Sequence, residues 1–230
     1  GNAVGARYGE ATMRGRFITF EGGEGSGKST QARLLAERLE AAGVATTRTR
    51  EPGGSPFAER LRAVILDPAV PPHSPLSEAL LFYAARADHV AQTIRPALAS
   101  GRWVICDRFS DSTRVYQGIA GALASETIDR LEAIAVAPTR PDPPFVTDTA
   151  PGVGLARAVA GRTAHAGART PADRYEGRPP AFHEALRRGF LEIAAREPDR
   201  CVVIDGAGSP EAVAEAVWSV AGQRLMVRTG

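Results

Sequence analysis

The sequence of 230 residues predicts an α/β fold in which a five-stranded parallel sheet lies between helices on both faces. Two observations predict it. Short apolar runs of strand length alternate with amphipathic stretches of helix length from Phe17 to Ala221. The first of those strands leads into a glycine-rich loop that opens a helix, a strand–loop–helix unit of the kind that parallel α/β sheets are built from. With 43% hydrophobic residues the chain can fill one core, and neither a repeat nor a linker divides it, so 13–230 is read as one domain.

The elements follow in order. Strands are predicted at Phe17–Glu21, Ala45–Arg50, Trp103–Cys106, Phe145–Thr149 and Cys201–Asp205, where β-branched and aromatic residues cluster between turn residues. The fourth is preceded by Pro141, Pro143 and Pro144, which cannot donate to a ladder, so it should start late. Helices are predicted at Lys28–Ala42, Phe57–Leu66, Leu76–Ala99, Ser125–Ala135, Val153–Ala160, Pro180–Glu197 and Pro210–Ala221. Two stretches read as irregular: the proline-rich Pro68–Pro75, and Gly161–Ala172, which has the composition of a mobile flap. The first twelve residues are small and polar without the apolar centre of a signal peptide, and Met13 stands just before the first strand. They read as a disordered leader or a non-native remnant.

The chain holds a single lysine, Lys28, among 28 basic residues. It sits in Gly22-Gly23-Glu24-Gly25-Ser26-Gly27-Lys28-Ser29-Thr30, which matches the phosphate-binding loop G-x-x-x-x-G-K-[ST]. Glycines let successive N–H groups turn toward one anion, and the following helix adds the positive end of its dipole. Lys28 reaches the phosphates, and the Ser29 hydroxyl is the group such loops offer to Mg²⁺. The residues Gly22 to Thr30 therefore predict a nucleoside triphosphate site.

Composition narrows the rest. A formal charge of +2, with arginines spread along the chain and no aromatic interleaving, argues against a nucleic-acid partner. No apolar run is long enough to span a bilayer. Cys106 and Cys201 each lie in a strand-like run, which reads as buried free thiols in a reducing cytoplasm. The four histidines show no metal-ligand spacing.

Ligands of parallel sheets bind beyond the carboxyl ends of the strands, so the residues there are the next candidates. Arg50 ends the second strand before Glu51-Pro52-Gly53-Gly54, and offers a guanidinium fork over the cleft or an ion-paired surface turn. Asp107 follows the third strand as a candidate on the magnesium side, and Arg108 as a second anion ligand. Phe82 and Arg86, four apart on a helix, could stack on a base and bond its edge, or be a core aromatic beside a snorkelling arginine. Thr113 and Gln117 share that spacing and could read a base, or cap a helix and face solvent.

Taken together, these segments resemble the bacterial thymidylate kinases. The resemblance rests on the phosphate loop, Thr49-Arg50-Glu51-Pro52-Gly53-Gly54, Phe82-Tyr83-Ala84-Ala85-Arg86, and Asp107-Arg108 followed by Ser112-Thr113 and Tyr116-Gln117-Gly118. Val153 to Arg157 and Asp173-Arg174-Tyr175-Glu176 complete it, in the family's order. It implies a three-layer P-loop kinase fold with a lid at about 157–176, transfer of the γ-phosphoryl of ATP to dTMP with Mg²⁺, and a homodimer. The apolar face of Leu76–Ala99 is then a candidate interface, or simply packs in the core. By this resemblance Arg50 and Arg108 hold the dTMP phosphate, Phe82 stacks on thymine, and Arg86, Thr113 and Gln117 face its polar edge. Tyr175 crowds the sugar, Glu24 lies near sugar and metal, and Ser29, Asp107 and Glu176 are the metal-side residues. Some family members carry an arginine where this chain has Gly25, so the charge on the transferring phosphoryl falls to lid arginines: Arg157, Arg162 and Arg169 are the candidates. Three rivals remain: another nucleoside monophosphate kinase, a nucleotide-gated switch, and a binding module that has lost catalysis.

Overall fold

The computed structural model describes residues 15–142, 144–165 and 174–226. Five parallel strands form the sheet: β1 (Phe17–Glu21), β2 (Thr46–Arg50), β3 (Trp103–Asp107), β4 (Phe145–Asp148) and β5 (Val202–Asp205). Their order is β2-β3-β1-β4-β5. β1 is therefore central, pairing Phe17 with Val104 on one side and Phe20 with Phe145 on the other. All five residues of β1 are buried, Thr19 and Glu21 among them, as befits a central strand covered on both faces.

The helices are α1 (Lys28–Ala41), α2 (Pro56–Leu66), α3 (Pro75–His89), α4 (Arg95–Ala99), α5 (Ser110–Thr113), α6 (Ser125–Ala135), α7 (Pro151–His165), α8 (Pro180–Arg196) and α9 (Pro210–Ala221). α1 and α9 pack on Ile18, Phe20, Ile105 and Ile204 of the sheet through Leu35, Leu39, Val213 and Val217. On the opposite face, Leu186 and Phe190 of α8 meet Val146, Val115 and Tyr116. Two layers of helices thus enclose the sheet, as the alternation predicts.

Three differences from the sequence expectation have physical causes. The long helix expected from Leu76 to Ala99 is one helical run, but a π-helical stretch over Val90–Ile94 joins α3 to α4, just before Pro96. The segment after β3 is helical too: α5 passes into a π-helical stretch over Arg114–Ile119. That widening turns Val115, Tyr116 and Gln117, three consecutive residues, all inward. Finally, α7 begins at Pro151 and runs to His165, so Gly161 to His165 is helix where a flap was expected. β4 does start late, at Phe145, directly after Pro144. The leader 1–12 and the middle of the expected lid, with Arg169, lie outside the described residues, as does the side chain of Arg162.

Candidate active site

The loop from Gly22 to Gly27 is folded by its glycines: Gly22, Gly25 and Gly27 have φ of 138°, 62° and 92°, values that L side chains rarely adopt. Gly27 precedes α1, and the first turn of α1 carries no acidic residue to neutralise its positive dipole end. Ser26 Oγ bonds Thr147 Oγ1 at 2.9 Å, tying the loop to β4. Lys28 is buried, and its ammonium donates to the Gly23 carbonyl at 2.5 Å and to Ser26 Oγ at 3.3 Å. Burial, reinforced by the nearby Arg108 charge, pulls its pKa down to about 8 against the pull of Glu24, Asp107 and Glu21.

A cavity of about 530 Å³ runs from this loop across the carboxyl ends of the strands, within the range of ligand sites. Glu24 to Thr30 line one end of the cavity. Arg50, Phe82, Asp107, Arg108, Thr113, Gln117, Arg157, Tyr175 and Glu176 line the remainder. The topology explains the gathering, since β2 and β3 are hydrogen-bonded neighbours whose ends carry Arg50 and Asp107 in register.

The side chains form two connected groups. Arg108, with a positive φ of 69°, donates to the Gly22 carbonyl at 2.9 Å and to Glu24 Oε1 at 2.8 Å. Tyr116 donates to the same Glu24 oxygen at 2.6 Å. Burial opposes ionisation of Glu24, but Arg108, Lys28 and Tyr116 overcome it and hold the carboxyl down to about 2. On the other side, Ser29 donates to Asp107 Oδ2 in a short hydrogen bond. Arg50 is over half exposed and pairs with Glu59 at 3.3 Å, which leaves it able to swing.

Arg86 takes a buried position behind the cavity wall. It does not line the cavity: its guanidinium is buried, with Nε donating to Glu51 Oε2 at 2.6 Å and Nη2 to the Phe109 carbonyl at 3.1 Å and to Thr113 Oγ1 at 3.0 Å. Glu51 also bonds His89 at 2.9 Å. The guanidinium locks the turn after β2 to α5 and stands behind two cavity-lining residues, Glu51 and Thr113, while its Nη1 is buried without a hydrogen-bond partner among the described residues. Arg157 extends from α7 to the carbonyls of Gly206 and Ala207 at 2.7 and 3.2 Å, beside the phosphate loop.

Sequence reasoning missed Glu78. In the first turn of α3, its Oε1 accepts from both Tyr175 Oη and Gln117 Nε2, the latter at 3.1 Å. It also missed Glu21, whose buried carboxyl accepts from the Phe109 N–H at 2.9 Å and from Ser112 Oγ at 2.6 Å beneath the site. No local pattern marks either residue, because their partners lie from 39 to 97 positions away.

Comparison with known proteins gives the family. The family model described as Thymidylate kinase matches residues 20–217. A thymidylate kinase of Caulobacter vibrioides is 51% identical over 212 residues, which cover 92% of this chain and 98% of that protein. One of Rhodopseudomonas palustris is 50% identical over 216 residues, covering 94% and 92%. The crystal structure of thymidylate kinase from Ehrlichia chaffeensis superposes with a TM-score of 0.69 at 33% identity, over 90% of this chain and 98% of that one. A matched family model over most of the length, close relatives and a shared five-stranded parallel fold lead to one conclusion: the chain belongs to the thymidylate kinase family, ATP-dependent enzymes that phosphorylate dTMP on the route to dTTP.

Proposed function

We propose that the cavity holds ATP and dTMP end to end, with the phosphoryl group passing between them over Lys28. The observation that carries this reading is the cavity itself, which has the phosphate loop at one end and an aromatic and amide-lined recess of Phe82, Tyr175 and Gln117 at the other. The triphosphate lies on Gly22 to Thr30, and Arg50 and Arg108 take the dTMP phosphate. Phe82 stacks on the base, and Thr113 and Gln117 bond its edge. Tyr175 crowds the sugar. Glu24 holds Arg108 in place through their 2.8 Å bond.

Phosphoryl transfer asks for alignment and charge neutralisation more than for covalent help. Lys28 and Arg157 supply fixed positive charge, with Arg162 and Arg169 as further lid candidates. The hard oxygen donors Ser29 and Asp107, already hydrogen-bonded to one another, suit Mg²⁺, which prefers one or two protein oxygens with phosphates and waters; Glu176 is a further oxygen on the same cavity. Bound there, Mg²⁺ would neutralise developing phosphate charge.

We also propose a cytoplasmic homodimer. Cys106 and Cys201 are buried free thiols, which supports a reducing compartment, and no helix among the described residues is long and apolar enough to cross a membrane. On the adjoining helices α2 and α3, Phe57, Val64, Leu76 and Leu80 are 43 to 54% exposed, the apolar surface a second copy would cover. Initial rates of ADP formation with dTMP, dUMP, UMP, dCMP, AMP and no acceptor test the function. Strong preference for dTMP over UMP is expected; equal slow release with every acceptor and with none would point to a switch ATPase instead. Light scattering tests the dimer.

A further inference from the structure

Gln117 is buried and lines the cavity, yet its two amide ends differ. The nitrogen donates to Glu78 Oε1 at 3.1 Å, whereas Oε1 of Gln117 is buried without a hydrogen-bond partner among the described residues. A carboxylate can only accept, so the amide cannot turn over without setting oxygen against oxygen. Glu78 thus decides which end of Gln117 is engaged inside the protein and which is left for a ligand. A buried acceptor left unpaired is costly, and a donor on the bound molecule would relieve that cost.

Thr113 is arranged in the opposite sense. Its hydroxyl oxygen accepts from Arg86 Nη2 at 3.0 Å, and a guanidinium can only donate. The Thr113 proton is therefore left to point elsewhere, and among the described residues it has no acceptor. One residue then offers an acceptor and the other a donor. A pyrimidine with an N3–H beside a carbonyl matches that pair, whereas cytosine, with an unprotonated N3 beside an amino group, opposes it.

We propose that Glu78 is a specificity-positioning residue: by fixing the orientation of the Gln117 amide it selects imide pyrimidines over cytosine. Glu78 itself is held by contacts from three directions. Tyr175 donates to the oxygen that Gln117 uses, while Arg174 and His73 stand 3.9 Å from the other oxygen. His73 Nε2 faces Arg174 Nη1 at 3.2 Å, and its Nδ1 faces the Pro71 carbonyl at 3.0 Å. The segment before α3 and the turn carrying Tyr175 therefore meet on one carboxylate.

The inference rests on the base lying against Gln117, and the experiment separates the two ideas. Specificity constants for dTMP, dCMP and N3-methyl-dTMP are measured for the wild type and Glu78→Gln, together with thermal melting. Glutamine is isosteric but can donate, so the Gln117 amide becomes free to turn. The dTMP-to-dCMP ratio is expected to fall by at least about ten-fold through gained dCMP turnover, the worth of one reversed hydrogen bond. A folded variant whose ratio stays within about two-fold of the wild type overturns the role of Glu78 alone. Wild-type turnover of N3-methyl-dTMP equal to that of dTMP overturns the placement of the base as well, and it does so even if the variant does not fold.

Discussion

Gly25 and Gly154 meet backbone to backbone: a Cβ on Gly25 would stand 1.8 Å from the Gly154 carbonyl oxygen, and one on Gly154 would stand 2.3 Å from the Glu24 carbonyl oxygen. The phosphate loop and the first turn of α7 are therefore pressed together with no room for a side chain on either. This closeness is a physical reason for the loop to lack an arginine at position 25, and it leaves positive charge to come from α7 and beyond.

Gly154→Ala should push the loop away from α7 while α7 itself remains a good helix. Because misplacement by about 1 Å can cost around 10²-fold in rate, kcat should fall by at least about ten-fold with a small change in melting temperature. Steady-state rates with saturating dTMP check this, and unchanged kcat would show that the contact is dispensable.

Lys28→Ala should fold and lose most turnover. A finer test uses its lowered pKa. Near pH 8 the free protein holds Lys28 only partly protonated, and bound phosphates favour the charged form. ATP binding should then take up protons near pH 8 and few near about pH 6, where Lys28 is already charged. Calorimetry in two buffers of different ionisation heat measures the uptake directly; equal, near-zero uptake at both would contradict it.

Glu21 and Glu24 should make stability respond to pH in opposite senses. Burial, then the neighbouring Asp111 carboxylate, pushes Glu21 up to about 8 from an ordinary 4.5. Between those values the folded state keeps a proton that the unfolded chain has released, so stability falls as pH rises from 4.5 to 8. Glu24 is depressed to about 2, so its contribution is present above 4.5 and is lost as pH falls toward 2. Urea midpoints of Glu21→Gln should lose the first slope and those of Glu24→Gln the second. Parallel curves for either variant and the wild type would refute the corresponding assignment.

Arg86→Ala should act on the fold before it acts on the substrate. It leaves Glu51 buried with His89 alone to bond its carboxylate. Losing one partner of a buried ion pair costs about 3–5 kcal/mol, so the melting temperature should drop sharply. A variant of wild-type stability with only a raised KM for dTMP would instead support direct contact with the base.

Much of this was legible from local pattern. β1, α6 and α9 carry the predicted boundaries, since an apolar run between turns, or a helix-length amphipathic stretch after a polar start, needs no distant partner to be recognised. Cavity-lining positions such as Arg50, Asp107 and Arg108 were also legible, because strand ends of a parallel sheet share one edge. What sequence could not supply was the division between residues that line the cavity and residues that stand behind them. Arg86 and Thr113 are both polar at plausible spacing, and only the burial of Glu51 draws the first one inward. Glu78 reads as an ordinary acid at a helix start, and its meaning comes from Gln117 and Tyr175, far along the chain.

The solitary lysine has a practical corollary. An ε-amine with a pKa near 8 is a better nucleophile at neutral pH than an ordinary lysine, and there is no second one to compete. An amine-acylating probe would therefore tag the side chains of this enzyme at one position, and protection by ATP would read occupancy of the site. A lysine-specific protease likewise has a single bond to cut, between Lys28 and Ser29 at the start of α1. Because Lys28 is buried, the rate of that one scission would report how often the nucleotide loop opens.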